Sequence, residues 1–348
     1  MSADLVLASR WATPENRRRE ALRAAHGQDA AALSELLEYF LRLKSRRAGE
    51  VSPATLRSYR QACRDFLAFT GPPEAPRHSL QTLDAEVIEA YLIGLRARGL
   101  AYGSVRSALY GLRALYRALR WAGAVRDDPA REVKAPIDPT PAHTRKRAIP
   151  PAQLRRLLAL PLERHGEAAP GARDAALLTL GATLGLRAGE IVALDVDDVD
   201  LRLGEVHVRS GKGGKARRVP LTGGAAAVLA RWLTAREALR LRGEVSQYER
   251  ALAVSFRPSC AGARLSARGL RTVVNAYLAA AGLPPDMWGV HTLRRTAGTR
   301  LYRATRDLHV VADLLGHASV TTSAIYAKLD TDIRREALEK VEALDGAE

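Results

Sequence analysis

The sequence predicts a mainly α-helical chain with one small three-stranded antiparallel sheet, arranged as a four-helix domain followed by an α+β domain. Three observations carry this. At 348 residues the chain exceeds the roughly 250–300 at which a single core stops growing, and its 47% hydrophobic residues suffice for two. Apolar positions recur at helical spacing along most of its length. Strand-like alternation is concentrated between Val199 and Leu221.

Residues 1–30 are polar and rich in Arg and Ala, without a clear apolar stripe, and are expected to form a loosely attached leader extension. Across 31–126 four amphipathic helices are expected. Leu33, Leu36, Leu37, Phe40 and Leu43 mark the first. Ser52-Pro53, a cap followed by a proline at the first helical position, opens the second, with Leu56, Tyr59, Cys63, Phe66 and Leu67 on one face. The third carries Val87, Ile88, Tyr91, Leu92 and Leu95 and ends at Gly99; the fourth carries Val105, Leu109, Leu112, Tyr116 and Leu119 and ends near Gly123. Residues 127–146 read as a linker, because Pro129, Pro136, Pro139 and Pro141 block helix and favour an extended path.

The second domain is expected over 147–330. Val199, Leu201 and Leu203 alternate, Gly204 turns the chain, and Val206 and Val208 alternate again. A Gly-rich hairpin, Ser210-Gly211-Lys212-Gly213-Gly214-Lys215, then leads into Arg218-Val219-Pro220-Leu221. Further helices are expected at about 224–240, 266–281, 291–303 and 307–316. Residues 331–348 hold a short amphipathic helix with Ile333, Ala337, Val341 and Leu344 on one side.

Charge narrows the partners. The 54 Lys+Arg against 38 Asp+Glu leave a formal +16, an excess that attracts polyanions, of which nucleic acid is the commonest inside a cell. Arg57, Arg60 and Arg64 lie on the polar side of one helix; Arg106, Arg113, Arg117 and Arg120 lie on that of another. Such runs are either solvated faces or surfaces that track phosphates. These Arg residues are expected to lack acidic partners, which favours the second, and Arg145 and Lys146 extend the basic path into the linker. Only seven basic residues are Lys: Lys44, Lys134, Lys146, Lys212, Lys215, Lys328 and Lys340. Arg stays protonated at any accessible pH and is a poor proton donor, so a Lys at a hairpin tip stands out. Cys63 and Cys260 are isolated, with no metal-ligand or disulfide spacing, and a reducing, cytoplasmic setting is expected. No apolar run reaches the ~18–20 residues that span a bilayer, and no signal-peptide core is evident. Neither a metal, a cofactor nor a membrane is expected.

Four short stretches carry chemistry. Arg187 and Glu190 share a helical face in Leu184-Gly185-Leu186-Arg187-Ala188-Gly189-Glu190. Lys212 and Lys215 lie at the hairpin tip. His291 and Arg294 are again three apart. Leu314-Leu315-Gly316-His317 precedes Tyr326 in Ser323-Ala324-Ile325-Tyr326-Ala327. Each alone is ordinary: a surface ion pair, a solvated turn, a His or Tyr at the edge of a core.

In this order the set resembles the tyrosine recombinase (phage integrase/Xer) family. The family's first-arginine box falls on Gly185 to Glu190, its hairpin lysine on Lys212, its H-x-x-R box on His291 and Arg294, and its L-G-H box and tyrosine on His317 and Tyr326. The motif resemblance covers about residues 149–330; the four-helix domain is similar to the family's SAM-like core-binding domain in architecture alone. One departure is Arg295, where many members carry a second His outside the catalytic set.

The resemblance implies metal-independent cleavage and rejoining of DNA strands. Arg187 and Arg294 would clamp the non-bridging oxygens, and Tyr326 would attack to form a 3′-phosphotyrosyl link. His291 would be the base, Lys212 the acid for the leaving 5′-oxygen, His317 a hydrogen-bond donor to phosphate, and Glu190 a supporting residue. It implies double-stranded DNA as partner and a homo- or hetero-tetramer on two DNA sites. A second recombinase or a DNA translocase could also be required, and the C-terminal helix either docks on a neighbouring protomer or packs on its own domain. Chromosome dimer resolution and mobile-element integration or excision both fit. Two other readings stay open: a type IB topoisomerase-like enzyme, and a DNA-binding protein on a degenerate recombinase scaffold.

Overall fold

A computed structural model describes residues 10–45, 49–72, 74–140, 147–209, 216–317, 319–321, 323, 326, 339 and 342. The chain forms two compact units that divide after Pro139.

The N-terminal unit holds five helices among its described residues: α1 (Pro14–His26), α2 (Ala30–Leu43), α3 (Pro53–Thr70), α4 (Ala85–Ala97) and α5 (Tyr102–Trp121). Side-chain oxygens of Thr13, Asp29 and Asp84 accept backbone N–H groups at the starts of α1, α2 and α4, satisfying donors that a helix leaves orphaned. Leu33, Leu36, Cys63, Phe66, Ile88, Tyr91, Leu109 and Leu112 meet in one core, so the four expected helices are present with these residues inward, whereas Leu43, expected on the same face as Leu33 and Leu36, is exposed at the end of α2. Gly111 lets α5 press onto α3, because a Cβ there would lie 2.6 Å from the Cβ of Ala62.

Two expectations need correction here. Residues 10–26 are no loose leader: Trp11 is fully buried, its Nε1 donates to Glu35 at 2.8 Å, and Ala21, Ala24 and Ala25 of α1 join the core. The linker also begins later than residue 127, since Ala130 and Val133 are buried in the same core.

The C-terminal unit contains α6 (Pro151–His165), α7 (Ala169–Ala182), α8 (Ala188–Ala193), β1 (Val199–Asp200), β2 (Glu205–Val208), β3 (Arg217–Pro220), α9 (Gly223–Leu241), α10 (Ala267–Ala280), α11 (Val290–Thr305) and α12 (Leu308–Leu315). Helix α7 is its axis, buried on all sides from Gly171 to Ala182. The sheet is antiparallel in the order β1-β2-β3, with Val206 opposite both Val199 and Val219. β1 stops short of the expected Leu203 because Asp200 accepts the N–H groups of Arg202 and Leu203 at 2.9 Å, closing a turn that leaves Leu201 and Leu203 exposed. Among the described residues no helix is long and apolar enough to cross a membrane.

Candidate active site

The site is assembled from chain segments that close approaches bring together. After α7, Gly185 adopts a left-handed φ of 69°. A Cβ there would lie 2.4 Å from Cδ2 of Leu315 and 3.3 Å from Cβ of Ala297, so only glycine lets this turn pass against α11 and α12. The turn delivers Arg187 to the N-cap of α8. Glu190 reaches back from the first turn of α8: its Oε2 accepts the Arg187 N–H at 2.8 Å, and its Oε1 accepts from Arg187 Nη1 at 2.7 Å.

A third cation completes this cluster. Arg217, the first residue of β3, donates from Nη1 and Nη2 to the two Glu190 oxygens at 3.0 and 2.9 Å. Arg294 Nη1 stands 3.9 Å from the same carboxylate. Burial pushes the Glu190 carboxyl up. Hydrogen bonds from Arg217 and Arg187, with the Arg217 charge, outweigh that and hold it at about 2. One carboxylate among three guanidiniums leaves the cluster net cationic.

The same arginines close the C-terminal end of α12. Arg217 Nε donates to the Leu314 carbonyl at 3.1 Å, Arg294 Nη2 to Leu315 at 2.6 Å, and Arg187 Nη2 to Gly316 at 3.2 Å. Carbonyls at the end of a helix lie at the negative end of its dipole, which suits cations. Arg294 Nη1 also donates to Gly185 O at 2.6 Å, tying α11 to the first-arginine turn. Burial, then the neighbouring Arg187, lowers the Arg294 guanidinium to about 10, leaving it charged at neutral pH.

Gly316, at φ 62°, ends α12 and leads into His317. The His317 Nδ1 lies 2.7 Å from Ser323 Oγ, and its ring stacks on Tyr326 at 6.1 Å between centroids and 5° between planes. Burial, then the charges of Arg294, Arg187 and Arg217, bring His317 down to about 4, so it is neutral at pH 7. Tyr326 is only 5% exposed and packs with Val311 and Leu315. Burial raises its hydroxyl above the ordinary tyrosine value, opposed by Arg294, Arg295 and Arg187. His291 sits at an exposed position one turn before Arg294, and burial of its ring, with Arg294, Arg295 and Arg187, lowers its pKa below 6.5.

Thus Arg187, Glu190, Arg294, His317 and Tyr326 are brought together, with His291 alongside on α11. Lys212 and Lys215, and likewise Arg145 and Lys146, lie outside the described residues. Sequence reasoning missed Arg217 and the contact of Ser323 with His317. Arg295 Nη1 donates to the Arg147 carbonyl at 3.0 Å, anchoring the start of this unit on α11.

The basic helices of the N-terminal unit divide. Arg57, Arg64, Arg106 and Arg117 are exposed. The expectation that this set lacks acidic partners fails at Arg60, which pairs with Glu38 on the adjacent helix. Arg113 is also committed, donating to the carbonyls of Ala130 at 3.0 Å and Val133 at 2.7 Å.

Comparison with known proteins fits this geometry. Residues 147–332 match the model of the phage integrase family, and residues 36–123 match that of the phage integrase N-terminal SAM-like domain. The chain belongs to the phage integrase family. It is therefore a tyrosine recombinase, an enzyme that cleaves and rejoins DNA. It is 33% identical over 281 residues to the tyrosine recombinase XerC of Salmonella typhi, covering 81% of this chain and 87% of that one. With the XerC of Roseiflexus castenholzii it shares 33% identity over 301 residues, 86% of this chain and 90% of the relative. Among solved structures, XerH bound to a palindromic difH substrate in a post-cleavage complex superposes with a TM-score of 0.68 at 20% identity, covering 94% of this chain and 97% of that one. The two chains thus share a fold.

Proposed function

We propose that this tyrosine recombinase is Xer-like, acting at specific sites in double-stranded DNA as a tetramer on two duplexes. Its catalytic set is Arg187, Lys212, His291, Arg294, His317 and Tyr326. The observation that carries the reading is the convergence of Arg187, Arg294 and Glu190 on the turn that presents His317, with Tyr326 stacked on that histidine. The similarity to XerC over most of both chains favours the Xer role over mobile-element integration. A topoisomerase-like enzyme gains no support from these relatives.

In this reading Arg187 and Arg294 bind the non-bridging oxygens of one phosphodiester, where charge develops during in-line attack. His291, neutral at pH 7 because its pKa is lowered, accepts the Tyr326 proton. The phenolic oxygen forms a bond to phosphorus, and the bond to the 5′-oxygen breaks as Lys212 protonates that leaving group. The link formed is a 3′-phosphotyrosine, and attack by an incoming 5′-hydroxyl reverses the step. With the Ser323 hydroxyl donating to Nδ1, His317 keeps a proton on Nε2 for a phosphate oxygen. An N-terminal domain whose core runs from Trp11 to Val133 and a catalytic domain over 147–330 suit this division of labour, and exposed Arg57, Arg64, Arg106 and Arg117 are proposed as phosphate contacts.

The test is covalent trapping on nicked duplexes from the neighbouring genomic DNA. Wild type should leave a denaturation-resistant adduct and Tyr326→Phe none, with both binding DNA equally. Binding without an adduct in wild type would favour a DNA-binding protein on a recombinase scaffold. Supercoil relaxation without exchange between two marked sites would favour the topoisomerase-like reading.

A further inference from the structure

We propose that Arg217 is a positioning residue for strand cleavage: it fixes the first-arginine box and the L-G-H turn in one register and ties both to the strand behind the Lys212 hairpin. The proposal rests on the strand-cleavage reading above.

Three facts converge on this side chain. Its Nη atoms form a two-pronged pair with Glu190, the carboxylate that also holds the Arg187 backbone and guanidinium. Its Nε donates to Leu314 O, while a Cβ on the adjacent Gly316 would lie 3.0 Å from its Cδ and Nη1, so the turn rests directly on the Arg217 stem. It begins β3, five residues after Lys212, and β3 pairs with β2 in fixed register. Arg217 thereby reaches the supports of Arg187 and His317 while sharing a short segment with Lys212.

The bonding pattern separates its role from that of the phosphate clamps. A guanidinium recognises a phosphate best by presenting two parallel N–H groups to it, and Arg217 presents that pair to Glu190. Arg294 instead spends its two Nη atoms on separate backbone carbonyls, at Gly185 and Leu315. Without Arg217, Glu190 keeps, among the described residues, its Arg187 bonds and a distant Arg294, and Leu314 O loses the Arg217 N–H. The expected result is a shift of Arg187 and of the His317 turn, with little change in DNA affinity. A displacement near 1 Å at such a site costs on the order of 100-fold in rate.

The experiment is single-turnover cleavage of a nicked duplex at saturating protein, with DNA affinity and thermal unfolding measured on the same samples. Arg217→Met should cleave on the order of 100-fold more slowly while binding DNA within about twofold of wild type. Arg217→Lys keeps the charge but presents no fork, and should recover less than a tenth of the lost rate. Because the two side chains share the two-pronged contact, Arg217→Met combined with Glu190→Gln should lose clearly less than the product of the two single losses. Full rate in Arg217→Lys, multiplying losses in the double variant, or weakened DNA binding that accounts for the loss would each overturn the proposal. Should Arg217→Met melt early, Arg217→Lys and the double variant decide it. Wild type and Tyr326→Phe run alongside: an adduct in neither overturns strand cleavage itself, whereas a wild-type adduct with full-rate Arg217→Met overturns only the role of Arg217.

Discussion

At residue scale, the position of Tyr326, the proposed nucleophile, is set by a missing side chain. Gly298 of α11 faces Tyr326 so closely that a Cβ would lie 2.5 Å from Cζ, 2.7 Å from Cε1 and 3.0 Å from Leu315 Cδ1. Gly298→Ala gains up to about 1 kcal/mol of helix propensity, but overpacking costs about 1–3 kcal/mol, and the ring cannot stay stacked on His317. Net destabilisation and at least tenfold slower cleavage with intact DNA binding are expected. Calorimetry and the nicked-duplex assay check the two halves, and wild-type cleavage would show that the ring position seen here does not matter. The motif residues were legible because their types suit the chemistry and their order resembles that of the tyrosine recombinase family. Arg217 was not, since beside Arg218 it reads as one of two surface cations. The usable signal was strand alternation: Val219 is buried, so Arg217, two residues earlier, shares its inward face, while Arg218 points out to Glu205. An arginine on an inward face needs a carboxylate, and Glu190 was already in view.

At the scale of elements, a helix declares itself in sequence when large apolar side chains make a stripe. Helices α2 to α5 do this. Helix α1 buries the same pattern, Ala21, Ala24 and Ala25, in alanine, which reads as neutral composition. Helix α7 is buried all round and so has no stripe to detect. Trp11 is the anchor that makes α1 part of the domain, and its removal leaves a large void and takes one donor from Glu35. Trp11→Ala should cost about 3–5 kcal/mol in the N-terminal unit. Thermal unfolding reads this directly, and an unchanged transition would return residues 10–26 to the status of a dispensable leader. Burial of Ala130 and Val133 was hidden in a similar way, because prolines around them dominate the reading of that segment.

At the scale of the whole molecule, the proposed reading separates cleavage from exchange: one protomer's residues would cut, whereas exchange would need copies held together. If residues 332–348 serve the second task, their deletion should leave adduct formation on a single nicked site within about threefold, yet abolish exchange between two marked sites. Loss of both activities together would mean that the segment supports its own domain. A chain of charge +16 also meets far more irrelevant DNA than target, and its attraction to phosphates is blind to sequence. During that search the proposed nucleophile Tyr326 is 5% exposed, with its proton held more tightly than in free tyrosine. In the proposed reading a mistaken encounter would then end in dissociation and leave no break, side-chain packing acting before any base is read.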